Sequence, residues 1–180
     1  PGACSVPCME KILVSACLLN QPVRYDGTGA GCHALLQRWW AEGRIVMVCP
    51  EVSGGLPTPR PPAEIPGGQG AAVLEGRVPV RDIHGADVTA AFIAGAEMAL
   101  ALVREHGIRF AVLKARSPSC GNHETYDGSF SGTRVPGEGV AAAALRRQGV
   151  QVFNETELAQ LEQLLQQQAQ SCDEPSGTKR

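Results

Sequence analysis

Four short runs of apolar, largely β-branched residues punctuate this chain, and stretches of helical composition separate them. The runs are 11–16, 44–48, 108–113 and 150–153. Each is too short for a helix and reads as a buried strand. Between them, residues 33–42 have helical composition and stop at Gly43. A long helix capped by Asp87 or Thr89 runs to His106 and stops at Gly107. An alanine-rich helix covers about 140–148 and stops at Gly149, the residue type that tolerates a left-handed helix end. Asn154 and Glu157 have the spacing of a capping box for a last helix reaching about Ala169. Strands alternating with helices in this way predict a single Rossmann-like three-layer α/β domain. Its sheet is mostly parallel, with helices on both faces.

The remaining segments read as follows. Residues 50–70 are too rich in proline and glycine for regular structure, and a loop of that length in a compact domain is usually functional. Residues 71–74 and 78–81 read as a small hairpin around Glu75-Gly76-Arg77, and 121–139 as a second glycine-rich loop. Residues 1–8, ahead of Met9, are expected to be a tag or N-terminal extension. Residues 9–170 form the domain, and 171–180 a flexible tail.

Composition narrows the partners. The 16 basic and 18 acidic residues leave a net charge of −2, which argues against a polyanion such as intact nucleic acid. No apolar run approaches the ~20 residues that span a bilayer, and no secretory signal is apparent, so no membrane is expected. The seven cysteines are an odd number, and they avoid the CxxC pairing of zinc ribbons. Free thiols or metal ligands in a reducing, cytoplasmic compartment are therefore expected.

Three of those cysteines have corresponding places. Cys17 and Cys49 directly follow the first and second strands, and Cys120 follows the third by a short loop. Ligands of open parallel sheets sit outside the carboxyl ends of the strands, so three parallel neighbours would bring the three thiols to one rim. Thiolates gathered there repel unless a cation or cluster neutralises them, and soft sulfur ligands select zinc, copper(I) or iron–sulfur clusters. Against this stands the fact that a single cysteine is often just a small apolar core residue. Cys4, Cys8, Cys32 and Cys172 read as incidental.

The words ILVSACLLNQPVRYDG, VCPEVSGGLPTPRPPAEI, DVTAAFIAGAEMAL, LKARSPSCG and YDGSFSGTRVPGEGVAAAAL occur in this order. Together they make the chain resemble the bacterial thiouracil desulfidase family from Lys11 to about Leu158. The resemblance implies an oxygen-sensitive four-iron, four-sulfur cluster held by Cys17, Cys49 and Cys120, with one iron open. It implies catalytic roles for Glu51 and Ser117. It also implies removal of sulfur from a small thiolated uracil (2-thiouracil, 4-thiouracil or 4-thiouridine monophosphate in type), which releases the oxo base and sulfide. Glu51 would move the proton of an attacking water. Tyr25, Asp26, Arg60, Lys114 and Ser119 are further candidates for substrate contacts, and Arg116 for a phosphate. Read from the residues alone, Glu51 could instead cap loop donors, and Ser117 could simply precede Pro118 in a turn. The rivals are a hydrolase with Cys120 as nucleophile beside Glu51 and His123, and a non-enzymatic nucleotide- or metal-binding module.

Overall fold

A computed structural model of the chain describes residues 9–172. The expectations for residues 1–8, including Cys4 and Cys8, and for the tail from residue 173 lie outside the described residues.

Strand β1, Ile12–Ser15, is buried along its whole length and runs into a single 3-10 turn at Ala16–Leu18. Helix α1, Ala34–Ala41, starts where His33 Nδ1 accepts the Leu35 N–H, 3.0 Å away. Strand β2, Ile45–Val48, pairs in parallel with β1. It is an edge strand rather than a buried one, because among the described residues no strand lies beyond it. Only its Val48 is buried, and Met47 is 42% exposed.

The proline-rich stretch is more regular than its composition suggests. It opens with a one-turn helix α2, Pro50–Ser53, whose first position is the proline itself. A missing N–H costs the helix no bond there, because N–H groups of the first turn have no intrahelical partner. Strand β3, Ala63–Glu64, lies further along it. The expected hairpin does not form. Residues 70–74 are a short helix, α3, Gly70–Leu74, as their Ala-Ala-Val-Leu composition allows. The partner of β4, Arg81–Asp82, is β3.

Helix α4, Thr89–His106, ends at Gly107 with φ of 62°. Strand β5, Phe110–Val112, follows. The second glycine-rich loop carries an antiparallel ribbon, β6 at Glu124–Tyr126 and β7 at Arg134–Pro136. Helix α5 is Val140–Arg147, and strand β8 is Gln151–Phe153. Helix α6, Leu158–Cys172, closes the described chain a few residues past the expected end. The expected capping box forms only in part: Glu157 Oε1 accepts the Asn154 N–H at 3.1 Å, but Asn154 Oδ1 accepts the Thr156 N–H at 2.9 Å in a turn that precedes the helix, which starts at Leu158.

The main sheet has the order β2-β1-β5-β8 with every pair parallel. Side chains alternate across it with the two-residue period of a strand. Ile12, Val14, Phe110 and Val112 face Leu36 and Trp39 of α1 and Leu158, Leu161 and Leu165 of α6. Leu13, Ala111 and Leu113 pack in a second core with Ala99 and Val103 of α4 and Ala142 and Leu145 of α5. Each large apolar side chain fully buried in these layers contributes roughly 1.5–3 kcal/mol of transfer free energy. The result is one Rossmann-like three-layer α/β domain. A third core of Ile65, Val73, Val80, Phe92 and Val140 anchors the long loop and α3 beside it.

The chain passes from β1 to β2 on one side, then returns to place β5 on the other side of β1. That reversal opens a crevice at the carboxyl ends of β1 and β5. Among the described residues, no helix is long and apolar enough to cross a membrane.

Candidate active site

A cavity of about 470 Å³ occupies this crevice, within the size range of small-molecule sites. Cys17, Cys49 and Cys120 all line it, together with Glu51, Arg60, Lys114, Ser117 and Ser119. Topology gathers the thiols, as expected. Cys17 lies in the turn after β1. Cys49 stands between β2 and α2, where its carbonyl accepts the Ser53 N–H at 2.8 Å. Cys120 sits in the turn that follows β5.

That turn is fastened at both ends. Ser117 Oγ accepts the N–H groups of Ser119 and Cys120 at 3.1 and 3.2 Å. The carbonyls of Pro118 and Ser119 accept the Val140 and Ala142 N–H groups at the start of α5. Gly139 makes this docking possible, because a Cβ there would lie 2.4 Å from the Ser119 carbonyl carbon.

The three thiols are buried or half-buried, and none is in a disulfide. Burial pushes Cys17 up to about 11. The nearby Cys49 adds to the rise, and the charges of Lys114 and Arg24 offset part of it. Burial likewise pushes Cys120 up to about 12, against the nearby hydroxyls of Ser119 and Ser15, with Cys17 and Cys49 adding to the rise. Cys49 is also raised, chiefly by burial. Each thiol therefore holds its proton at neutral pH, and the Cys17 and Cys120 sulfurs lie within electrostatic reach of the others. Among the described residues, no three His, Cys, Asp or Glu side chains converge as ligands of one metal ion. The sulfurs stand around a cavity instead.

Glu51 projects from α2 and is held from two sides. Arg60 Nε donates to its Oε1 at 3.2 Å, while Ser119 Oγ donates to Oε2 at 2.9 Å and Ser117 Oγ at 3.5 Å. Helix α2 reaches this position by pressing its backbone onto α4. A Cβ on Gly95 would lie 1.9 Å from the Pro50 carbonyl oxygen, and one on Gly54 would lie 1.9 Å from that of Ala91.

The substrate-contact candidates divide. Tyr25 lines the cavity at 42% exposure, and Tyr126 joins it, so both tyrosines of the chain are there. Asp26 does not line the cavity; its carboxylate closes a local turn onto the Thr28 N–H and hydroxyl. Arg60 is not free to reach a ligand. Its side chain is 5% exposed and donates to Glu51, Pro57 O, Thr58 Oγ1 and Val23 O, which engages four of its five N–H groups. Lys114 lines the cavity with its ammonium 2.8 Å from Glu155 Oε1. Arg24 and Arg116 line it as well.

The cysteine-nucleophile alternative loses its histidine. His123 Nε2 lies 3.0 Å from Glu157 and is not part of the cavity, and a thiol raised as far as that of Cys120 is a poor nucleophile. Cys32 is also outside the cavity, with its thiol on the His33 carbonyl.

Three features escaped the sequence reading: the Gly95 contact, the Arg60–Glu51 pair and Ser15. A glycine midway along an alanine-rich helix and a serine inside an apolar strand were the available signals.

A family model described as 2-thiouracil desulfurase matches residues 12–157. YbbK, an uncharacterized protein of Bacillus subtilis (strain 168), is 43% identical over 147 residues, which is 82% of this chain and 97% of its own. A solved structure of the 4Fe-4S-dependent thiouracil desulfidase TudS is 52% identical. It superposes with a TM-score of 0.80, covering 87% of this chain and 98% of its own.

Proposed function

The chain belongs to the 2-thiouracil desulfurase family, and from that premise we propose that it is an iron–sulfur-dependent desulfidase that replaces the sulfur of a thiolated uracil with oxygen. The observation that carries this reading is the ring of Cys17, Cys49 and Cys120 around one cavity, with the Glu51 carboxylate on the same wall.

The donor set suits an iron–sulfur cluster, because three soft sulfur ligands line one cavity, and Cys17, Cys49 and Cys120 would hold it there. When bound, such a cluster supplies one iron without a protein ligand, a soft Lewis acid for the exocyclic sulfur of the substrate.

The chain's own residues do the rest. Glu51 accepts the proton of the water that attacks the ring carbon. An ionised carboxylate has about four lone-pair positions. Arg60, Ser119 and Ser117 take three of them, so one remains for the water. Ser117 is a positioning residue. Its oxygen already accepts two backbone N–H groups, so its own proton is its only remaining contribution. The pyrimidine lies against Tyr25 and Tyr126, with Lys114, Arg24 and Arg116 on the cavity wall for a phosphate when the substrate is a nucleotide.

The test is anaerobic reconstitution with iron and sulfide, followed by assay of sulfide release from 2-thiouracil, 4-thiouracil and 4-thiouridine monophosphate. Turnover of at least one, dependent on iron, supports the reading. A fully loaded protein inert toward all three overturns it.

A further inference from the structure

Two hydroxyls lie at the same distance from the sulfur of Cys120. Ser15 Oγ and Ser119 Oγ are each 3.5 Å from Sγ. Their surroundings make them chemically different.

Ser119 has better acceptors for its single proton. Glu51 Oε2 is 2.9 Å away, and a hydrogen bond to a carboxylate is roughly twice as strong as one between neutral groups. Ser117 Oγ, also at 2.9 Å, is a second polar neighbour closer than the sulfur. The Ser119 proton therefore goes to Glu51 and not to sulfur.

Ser15 has no such outlet. It is 2% exposed at the end of the central strand β1, and its oxygen accepts the Lys114 N–H at 3.0 Å. With a lone pair committed to that N–H, the hydroxyl proton points away from it, and the acceptor in reach is Cys120 Sγ. A buried hydroxyl without an acceptor is costly, so the bond is retained. The same serine ties the ends of β1 and β5 together at the point where the chain turns toward Cys120.

We propose that Ser15 is a positioning residue of the metal centre, the dedicated hydroxyl donor to the Cys120 sulfur, which fixes that ligand and sets the potential of the cluster it holds. The inference rests on the cluster reading above. Hydrogen bonds to ligand sulfurs draw electron density from them and stabilise the reduced state of an iron–sulfur centre, so the donor raises the reduction potential.

The experiment compares anaerobically reconstituted wild type, Ser15→Ala, Ser15→Thr and Ser119→Ala by EPR-monitored redox titration, with iron and sulfide quantified in each. Ser15→Ala is expected to shift the midpoint potential to more negative values, and Ser15→Thr, which keeps a hydroxyl, to restore it. Ser119→Ala is expected to leave the potential in place, because its proton serves Glu51. An unchanged potential in cluster-loaded Ser15→Ala, or an equal shift in Ser119→Ala, overturns the inference and leaves the desulfidase reading intact. A wild type that takes up no iron overturns both. Should Ser15→Ala fail to fold, resonance Raman spectra of Ser119→Ala in H2O and D2O answer the same question. A deuterium shift of an iron–cysteine sulfur stretch supports the Ser15 hydrogen bond, and an unshifted spectrum overturns it.

Discussion

The Glu51 carboxylate accepts a 2.9 Å hydrogen bond from the Ser119 hydroxyl, which joins the one-turn helix after β2 to the turn after β5 in the wall of the cavity. One side chain of this pair follows Cys49 by two residues, and the other immediately precedes Cys120. A change to either partner acts on the walls that carry two of the three thiols.

Glu51→Gln keeps the size of the side chain and removes its charge. The loss of a positioned proton acceptor is expected to lower the rate of sulfide release about 10²–10⁴-fold. Iron content and the visible spectrum should stay at wild-type levels, since the cysteines are untouched. A fully loaded Glu51→Gln enzyme with the wild-type rate would remove Glu51 from the chemistry.

Cys17→Ala, Cys49→Ala and Cys120→Ala are each expected to abolish the brown chromophore after reconstitution. Cys32→Ala, outside the cavity, should leave it unchanged. With Cys17 and Cys120 raised to about 11 and about 12, iron bound by the proposed ligand set would displace their protons, and loading is expected to strengthen as pH rises from 7 to 9. Iron analysis after anaerobic gel filtration, across that pH series, measures both effects.

Gly95→Ala sets two effects against each other. Alanine in a helix interior gains about 1 kcal/mol over glycine. A Cβ 1.9 Å from the Pro50 oxygen forces α2 away from α4, and overpacking of this kind costs about 1–3 kcal/mol. The clash prevails. A lower urea midpoint is expected, with a fall in activity because α2 carries Glu51.

Partial burial works to raise the Glu157 carboxyl, but hydrogen bonds from His123, Asn122 and the Asn154 N–H outweigh it and hold the group below its ordinary 4.5. A depressed carboxyl stabilises the fold fully above the unfolded value, and that contribution is lost as pH falls through the lower folded value. Urea midpoints should therefore drop between pH 5 and 3, and Glu157→Gln should flatten that dependence while lowering stability at pH 7.

The layered α/β fold was legible because every strand of the main sheet announces itself as a short apolar run closed by polar or glycine-rich sequence. The co-location of Cys17, Cys49 and Cys120 followed from topology, since equal positions on parallel neighbours share a rim. What stayed hidden depended on contacts between distant segments. Pro50 was read as a breaker, although the first position of a helix suits it. Residues 71–74 were read as half of a hairpin because nothing local reveals that β4 pairs back with Ala63–Glu64. Arg60 looked like a free cation until its acceptors, which lie on three separate segments, were in place. Asp26 looked like a site residue, but its carboxylate is occupied by Thr28.

The thiols of the cavity follow three different strands, and the last of them lies two-thirds of the way along the chain. A nascent polypeptide emerging from the ribosome offers an iron donor nothing but scattered cysteines until β5 has docked beside β1. On the proposed ligand set, maturation is thereby ordered in time: delivery of the inorganic cargo has to follow the docking of β5 beside β1.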